Sequence, residues 1–383
     1  MPEEARTMQL GYCTNVHPGM TLEEIEAQLD EHAVDVRQHL DMEVLPIGLW
    51  LPASVVHAVD VEELDRRLSN RGLQVFTMNA FPYDDFHGEN VKHAVYEPDW
   101  ATPERSRYTL QCAKLLASLL GSGSSGGIST LPLGWAAAMD PARLDAACRN
   151  LLELVQALAE LESETGCCIH VDIEPEPGCV LGTMDELATC FEEKLLGKGQ
   201  DELVQRHLRA CVDLCHAAVM FEDLKPIQER LRDLGLLIGK VQVSNAIEVD
   251  FEPMDRVQRL DAAAVLSTFD EPRWMHQVVI QRDGALTFHE DLGEALRKEP
   301  AGCWRVHFHV PVHVSSLGPL GTTQQRLVND LQLLASGNDI ADWEVETYAW
   351  DALPEERRAS SLARSIADEL TWTRKQLCRE DDA

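Results

Sequence analysis

Positive charge is scarce in this sequence: Lys and Arg total 33 against 65 Asp and Glu, a formal net charge of −32. Binding to a phosphate backbone rests on clustered Lys and Arg that release counterions, so this balance argues against nucleic acid and against anionic membrane surfaces as partners. Long apolar runs are missing too. None approaches the roughly 18 consecutive residues that a spanning helix needs. The stretch MPEEARTMQLGYC carries acidic residues and no apolar segment of signal-peptide length. The expectation is a cytoplasmic protein without membrane insertion. There is no repeat of solenoid type, and aromatic residues make up only 6% of the chain. The 11 cysteines are odd in number and lack framework spacing, which argues against a disulfide scaffold in a chain of this size. Cys167/Cys168 and Cys211/Cys215 look like metal pairs, but both lie in apolar segments where free cysteine behaves as a small hydrophobe.

What is present is an ordinary globular composition, 45% hydrophobic and 26% charged over 383 residues, with room for a core. Short apolar, β-branched segments alternate with stretches of helical period, the pattern of βα units around a parallel sheet. The first strand is expected over 10–16, followed by a helix capped by Thr21 with Glu24 three residues on. Others are expected over 47–51 and 74–81. The flexible-looking GSGSSGG at 121–127 reads as a loop leading into a fourth strand at STLPLGW. Later come CIHVDIEPEPGC, ACVDLCHAA, GKVQVSNA, WRVHFHVPVH and DWEVETYAW. These make nine candidate strands for the eight staves of a (β/α)8 TIM barrel, so one must lie outside it. The barrel is expected to occupy 1–383 as one domain, with 247–301 as an insertion in which Arg282-Asp283-Gly284 turns a β-hairpin.

Side chains in a strand alternate, so His170, Asp172 and Glu174 share one face of 168–174. Glu174 then ends a strand where catalytic groups of barrels sit. The same alternation gathers Arg305, His307, His309 and His313 over 305–313. Asp213 and His216 bring an acid and a base together at a strand-to-loop transition, and Glu346 supplies another carboxylate near a strand end. Inward carboxylates repel one another unless a cation lies among them. Two Glu, an Asp and a His suit a divalent ion such as Mn²⁺, Mg²⁺, Co²⁺ or Zn²⁺. The long loop after 74–81 offers His87, Glu89 and His93 as a lid, and Trp50, Trp135 and Trp350 are candidates for shaping the pocket.

These motifs resemble the xylose isomerase-like barrel superfamily: a Glu ending one strand (Glu174), D-x-x-H ending another (Asp213, His216) and a Glu ending the last (Glu346). The resemblance implies a divalent metal held by the three acids with a His from the intervening strand, while His216 touches substrate. More closely, GYCTNVHPG, STLPLGW, HVDIEPEPGC, CVDLCH, KVQVSNA, HFHVPVH and VETYAW resemble the metabolite traffic protein EboE family over nearly the whole chain. That resemblance implies a place in moving or processing a secondary-metabolite precursor. One position departs: where the isomerase pattern wants a His after D-x-x-H, this chain has Gln242. An amide oxygen ligates a hard cation without adding charge. Gln242 by position and His309 by chemistry are both candidates for the fourth ligand.

The expected site is therefore Glu174, Asp213, Glu346 and either Gln242 or His309 around the metal, with Glu174, Glu346 and His216 catalytic. Asn15, His17, Asn79, His307 and His313 are expected to bind substrate. The leading function is isomerisation or epimerisation of a small sugar- or polyol-like molecule. Two others stay open: a metal-dependent hydrolase of a small phosphoester, with His307, His309 and His313 assembling a polynuclear site, and a non-catalytic metabolite-binding barrel.

Overall fold

The structure is a computed structural model that describes residues 8–378, except 338, 351–352, 354–357 and 359–360. Eight of its strands close into a parallel barrel: β1 (Gln9–Cys13), β2 (Leu45–Trp50), β3 (Leu73–Asn79), β4 (Ser125–Thr130), β5 (Cys168–Ile173), β6 (Leu208–Asp213), β7 (Ile238–Val243) and, last in the chain, β14 (Asp342–Val345). Neighbours pair in parallel around the ring, and β14 closes it between β7 and β1. Helices connect the strands, as expected for a (β/α)8 barrel. Their starts carry the predicted chemistry. Thr21 forms a capping box with Glu24, Thr183 one with Glu186, and Asp213 caps the helix Leu214–Val219 by accepting from the His216 N–H. The outward residues of the strands, such as Ile169, Val171, Val241 and Val243, are fully buried against the helices in one apolar core.

The barrel interior is unusually polar below the mouth. Lys240 is fully buried and donates to Glu344 Oε2 (2.7 Å) and Ser129 Oγ (2.9 Å). His170 and Asp172 meet at 2.6 Å. Glycines make the space for these groups. A Cβ on Gly48 would lie 1.3 Å from Glu344 Oε1, and one on Gly127 would lie 2.1 Å from Asp172 Oδ2. This explains a difference from expectation. The glycines at 126–127 are not loop but part of β4: Gly127 leaves room for Asp172 and His170 of the neighbouring β5, and Gly126 for Leu116 and Leu120 of the helix packed outside.

The supernumerary strand is the histidine-rich one. β8 (Ile247–Asp250), β9 (Val278–Arg282), β10 (Ala285–His289), β11 (Cys303–Val306), β12 (Ser316–Leu317) and β13 (Leu320–Thr322) form a second sheet in the order β10-β9-β11-β8-β13-β12. Its pairings are antiparallel throughout. The hairpin β9–β10 turns at Asp283 (φ 51°) and Gly284 (φ 78°), as the sequence predicted. This sheet extends past 301 to Thr322 and has its own apolar core, including Phe251, Phe269, Trp304 and Phe308. β11 stops at Val306, after which residues 307–310 leave the ladder. His307 N–H donates to Gln277 O and Val310 N–H to Asn245 O, so the segment crosses to the barrel mouth at the exit of β7.

Candidate metal centre

Three carboxylates converge at the mouth. Glu174 follows β5, Asp213 ends β6 and Glu346 follows β14; ligand atoms of all three lie within 4.8 Å of one another, and all three residues are buried. Glu346 Oε1 accepts from Asn15 Nδ2 (2.6 Å) and Asn79 Nδ2 (3.2 Å). Asp213 Oδ1 accepts from His216 N–H and Ser244 Oγ, both at 2.8 Å, whereas its Oδ2 has no partner. Burial, then the charges of Glu346 and Asp213, pushes the Glu174 carboxyl well up. Burial, then Asp213 and Glu344, raises Glu346 to about 8. Carboxyls forced together in this way must keep protons or share a cation. The free Asp213 Oδ2 and the hard oxygen donors fit a divalent ion.

Both candidates for the fourth ligand approach this cluster differently. His309 is buried, donates Nδ1–H to Glu346 O (2.7 Å) and turns Nε2 toward Asp213 Oδ2 (4.0 Å). Burial lowers its imidazole to about 4, so the lone pair is available near neutral pH. Gln242 lies on the inward face of β7 with Lys240, fully buried, and neither of its carboxamide atoms has a hydrogen-bond partner. His309 thus reaches the carboxylates from beyond β11 and lines the cavity, whereas Gln242 stays below it inside the barrel.

The carboxylates and imidazoles open onto a cavity whose lining includes Asn15, Asn79, Glu174, Glu176, His216, His307, His309 and Glu346. Its roof is apolar: Phe81, Phe86, Trp274 and Tyr348 lie over it, and the rings of Phe86, Trp274 and Tyr348 pack within 5.2–5.7 Å of one another. Trp274 Nε1–H donates to Phe86 O, and Val91 and Lys92 N–H both donate to Arg273 O, tying the long β3 loop to the inserted segment. The lid expectation is therefore met by other residues. His87 anchors the loop on Asn15 O (2.7 Å), while Glu89 and His93 face solvent.

Two residues expected to touch substrate lie away from this cavity. His17 is buried outside the cavity, bonded to the Tyr12 hydroxyl (2.9 Å) and stacked on His32. His313 is exposed and also outside it, because the chain leaves the strand at Val306 and alternation no longer governs its direction. Trp50, Trp135 and Trp350 do not line the cavity either; Trp50 is core, with its indole N–H on Pro82 O. Glu176, Tyr96, Trp274, Gln277 and Tyr348 were not anticipated. For Glu176 and Tyr348 nearness was the one signal: each lies two residues beyond a chosen carboxylate, past the end of its strand.

No family model matches the sequence, and no curated protein matches it. Among solved structures the chain is similar to 3-keto-D-glucoside 4-epimerase, YcjR, from E. coli, at 14% identity and TM-score 0.46, covering 96% of this chain and 100% of that one. It is similar to an L-ribulose 3-epimerase at 11% identity and TM-score 0.48, covering 98% and 95% of the two chains. A xylose isomerase domain protein from Alicyclobacillus acidocaldarius subsp. acidocaldarius gives 14% identity and TM-score 0.49, with 96% and 98% covered. Among the described residues no helix is long and apolar enough to cross a membrane.

Proposed function

We propose that this chain is a divalent-metal-dependent isomerase or epimerase acting on a small sugar- or polyol-like metabolite. The observation that carries the reading is the triad Glu174, Asp213 and Glu346, buried and brought together at one end of the barrel with an unpartnered carboxylate oxygen. These residues, with His309 or Gln242, would hold the ion, which when bound supplies Lewis acidity toward adjacent oxygens of the substrate. The protein's own groups do the rest. Glu174 and Glu346 both line the cavity, which places their carboxylates to take a proton from carbon and return it. Asn15 and Asn79 hold the Glu346 carboxyl in one orientation, and the aromatic roof limits the access of water. His216 and His307 line the cavity with their Nδ1 atoms held by Pro175 O and Gln277 Oε1, leaving Nε2 to meet a substrate. The motif resemblance to the metabolite traffic family supports, as part of this proposal, a substrate from a secondary-metabolite precursor pathway.

The test is exchange of solvent deuterium into carbon-bound positions of candidate ketoses and cyclitols by metal-loaded protein. Glu174→Gln or Glu346→Gln should lower the exchange rate by about 10²–10⁴-fold, the usual contribution of a positioned acid–base group. Binding without any exchange would instead favour a non-catalytic carrier. Hydrolysis of a small phosphoester is the less suited reading: among the described cavity residues Lys92 is the one Lys or Arg, and it is already paired with Asp291.

A further inference from the structure

Three imidazoles at the mouth are oriented through their Nδ1–H groups. His216 donates to Pro175 O (2.9 Å), His307 to Gln277 Oε1 (2.6 Å) and His309 to Glu346 O (2.7 Å). The Gln277 carboxamide is fixed in this sense because its Nε2 donates to Pro177 O (3.2 Å) and Glu176 Oε1 (3.1 Å). With Nδ1–H committed in each ring, Nε2 is the atom left to accept or to ligate, and the Tyr348 hydroxyl lies 3.4 Å from that of His307. Yet Nε2 of His307 lies 3.1 Å from Nε2 of His216 and 3.3 Å from Nε2 of His309. Two lone pairs repel at such a distance unless an electrophile sits beside both.

Glu176 completes the arrangement. Its Oε1 accepts from the Tyr96 hydroxyl (2.8 Å) and from Gln277, whereas its Oε2 is buried without a partner. The residue is only 5% exposed. Ligand atoms of Glu176, His216 and His307 lie within 4.8 Å of one another. Imidazoles whose far nitrogens are pinned by carbonyl oxygens, with a carboxylate alongside, are the outer and inner layers of a preorganised metal site. We propose that Glu176, His216 and His307 form a second cation site beside the Glu174–Asp213–Glu346 position, with His309 standing between the two. Two nitrogen donors and one oxygen select a borderline ion such as Zn²⁺ or Co²⁺, whereas the all-carboxylate position suits a harder one. This goes beyond the isomerase reading, which needs only the carboxylate position.

The experiment is titration of the chelator-stripped full-length protein with Co²⁺, read by metal content after gel filtration and by the visible absorbance of the bound ion. Two equivalents per chain are expected. His307→Gln and Glu176→Gln should each bind one, with the absorbance of the nitrogen-ligated ion lost, while Glu346→Gln should keep that absorbance and weaken the other site. Circular dichroism establishes that each variant is folded, and the Glu176 variant serves if the His307 variant is not. A single equivalent in the wild type that His307→Gln and Glu176→Gln leave intact overturns the second site and assigns a shared proton to the imidazoles. A single equivalent abolished by His307→Gln but indifferent to Glu346→Gln supports it and overturns the carboxylate site instead.

Discussion

Glu346 shows in one residue what burial does to this site. Its carboxyl is raised to about 8, first by desolvation and then by Asp213 and Glu344. An unfolded Glu titrates near 4.3. Between these values the folded chain holds a proton that the unfolded chain has lost, so stability falls as pH rises through that window. Without a divalent ion, the melting temperature should decline from pH 5 to pH 8. The decline should be smaller in Glu346→Gln and should flatten or reverse when a divalent ion replaces the protons. Melting curves across that range check this, and a metal-free profile that rises with pH would contradict it. Much of the residue-scale site was legible: Glu174, Asp213 and Glu346 each end a strand, and the fold aims strand ends at the mouth. His17 and His313 lie away from the cavity, because nearness to a motif is not direction. Trp274 and Gln277 lie on a loop of the insertion, where no period gives orientation.

At the scale of elements, the second sheet does more than decorate the barrel. It delivers residues 307–310 to the mouth, and the C-terminal helix Leu362–Leu377 then fastens that segment in place. Glu369 of this helix is buried and accepts from Val312 N–H (3.1 Å) and Thr347 Oγ1 (2.6 Å), joining the His309 segment to the Glu346 strand end. Glu369→Ala strands both donors, each at about 1–3 kcal/mol. The expected outcome is a lower midpoint in denaturant together with weaker metal binding; lost stability with unchanged metal affinity would show that the strut does not position the site. Gly48 sets a second test. An alanine there collides with Glu344, which must release Lys240, and breaking a buried ion pair costs about 3–5 kcal/mol. Gly48→Ala should therefore yield little folded protein, whereas wild-type stability would mean that the Lys240–Glu344 layer can repack. The barrel was legible from its alternating units, but the ninth strand was not assignable. A buried antiparallel strand and a buried parallel stave carry the same apolar pattern, and only pairing separates them.

For the molecule as a whole, the charge of −32 works against compaction, and four of its carboxyls, Glu174, Glu176, Asp213 and Glu346, are buried at the mouth, where they gain most from a counter-ion. A bound cation is thus expected to act as a structural ligand as well as a chemical one, stabilising by about 4 kcal/mol when present at roughly a thousand times its dissociation constant. The most direct measurement is calorimetric titration of chelator-stripped protein with Mn²⁺, Mg²⁺, Co²⁺ and Zn²⁺, paired with melting curves of wild type, Glu174→Gln, Asp213→Asn and Glu346→Gln. The account predicts stoichiometric binding of at least one of these ions, a raised melting temperature in its presence, and, in each folded variant, loss of the equivalent held by the carboxylates together with its share of the stabilisation. A wild-type protein that binds none of them and gains no stability, or variants that bind as well as wild type, would contradict it.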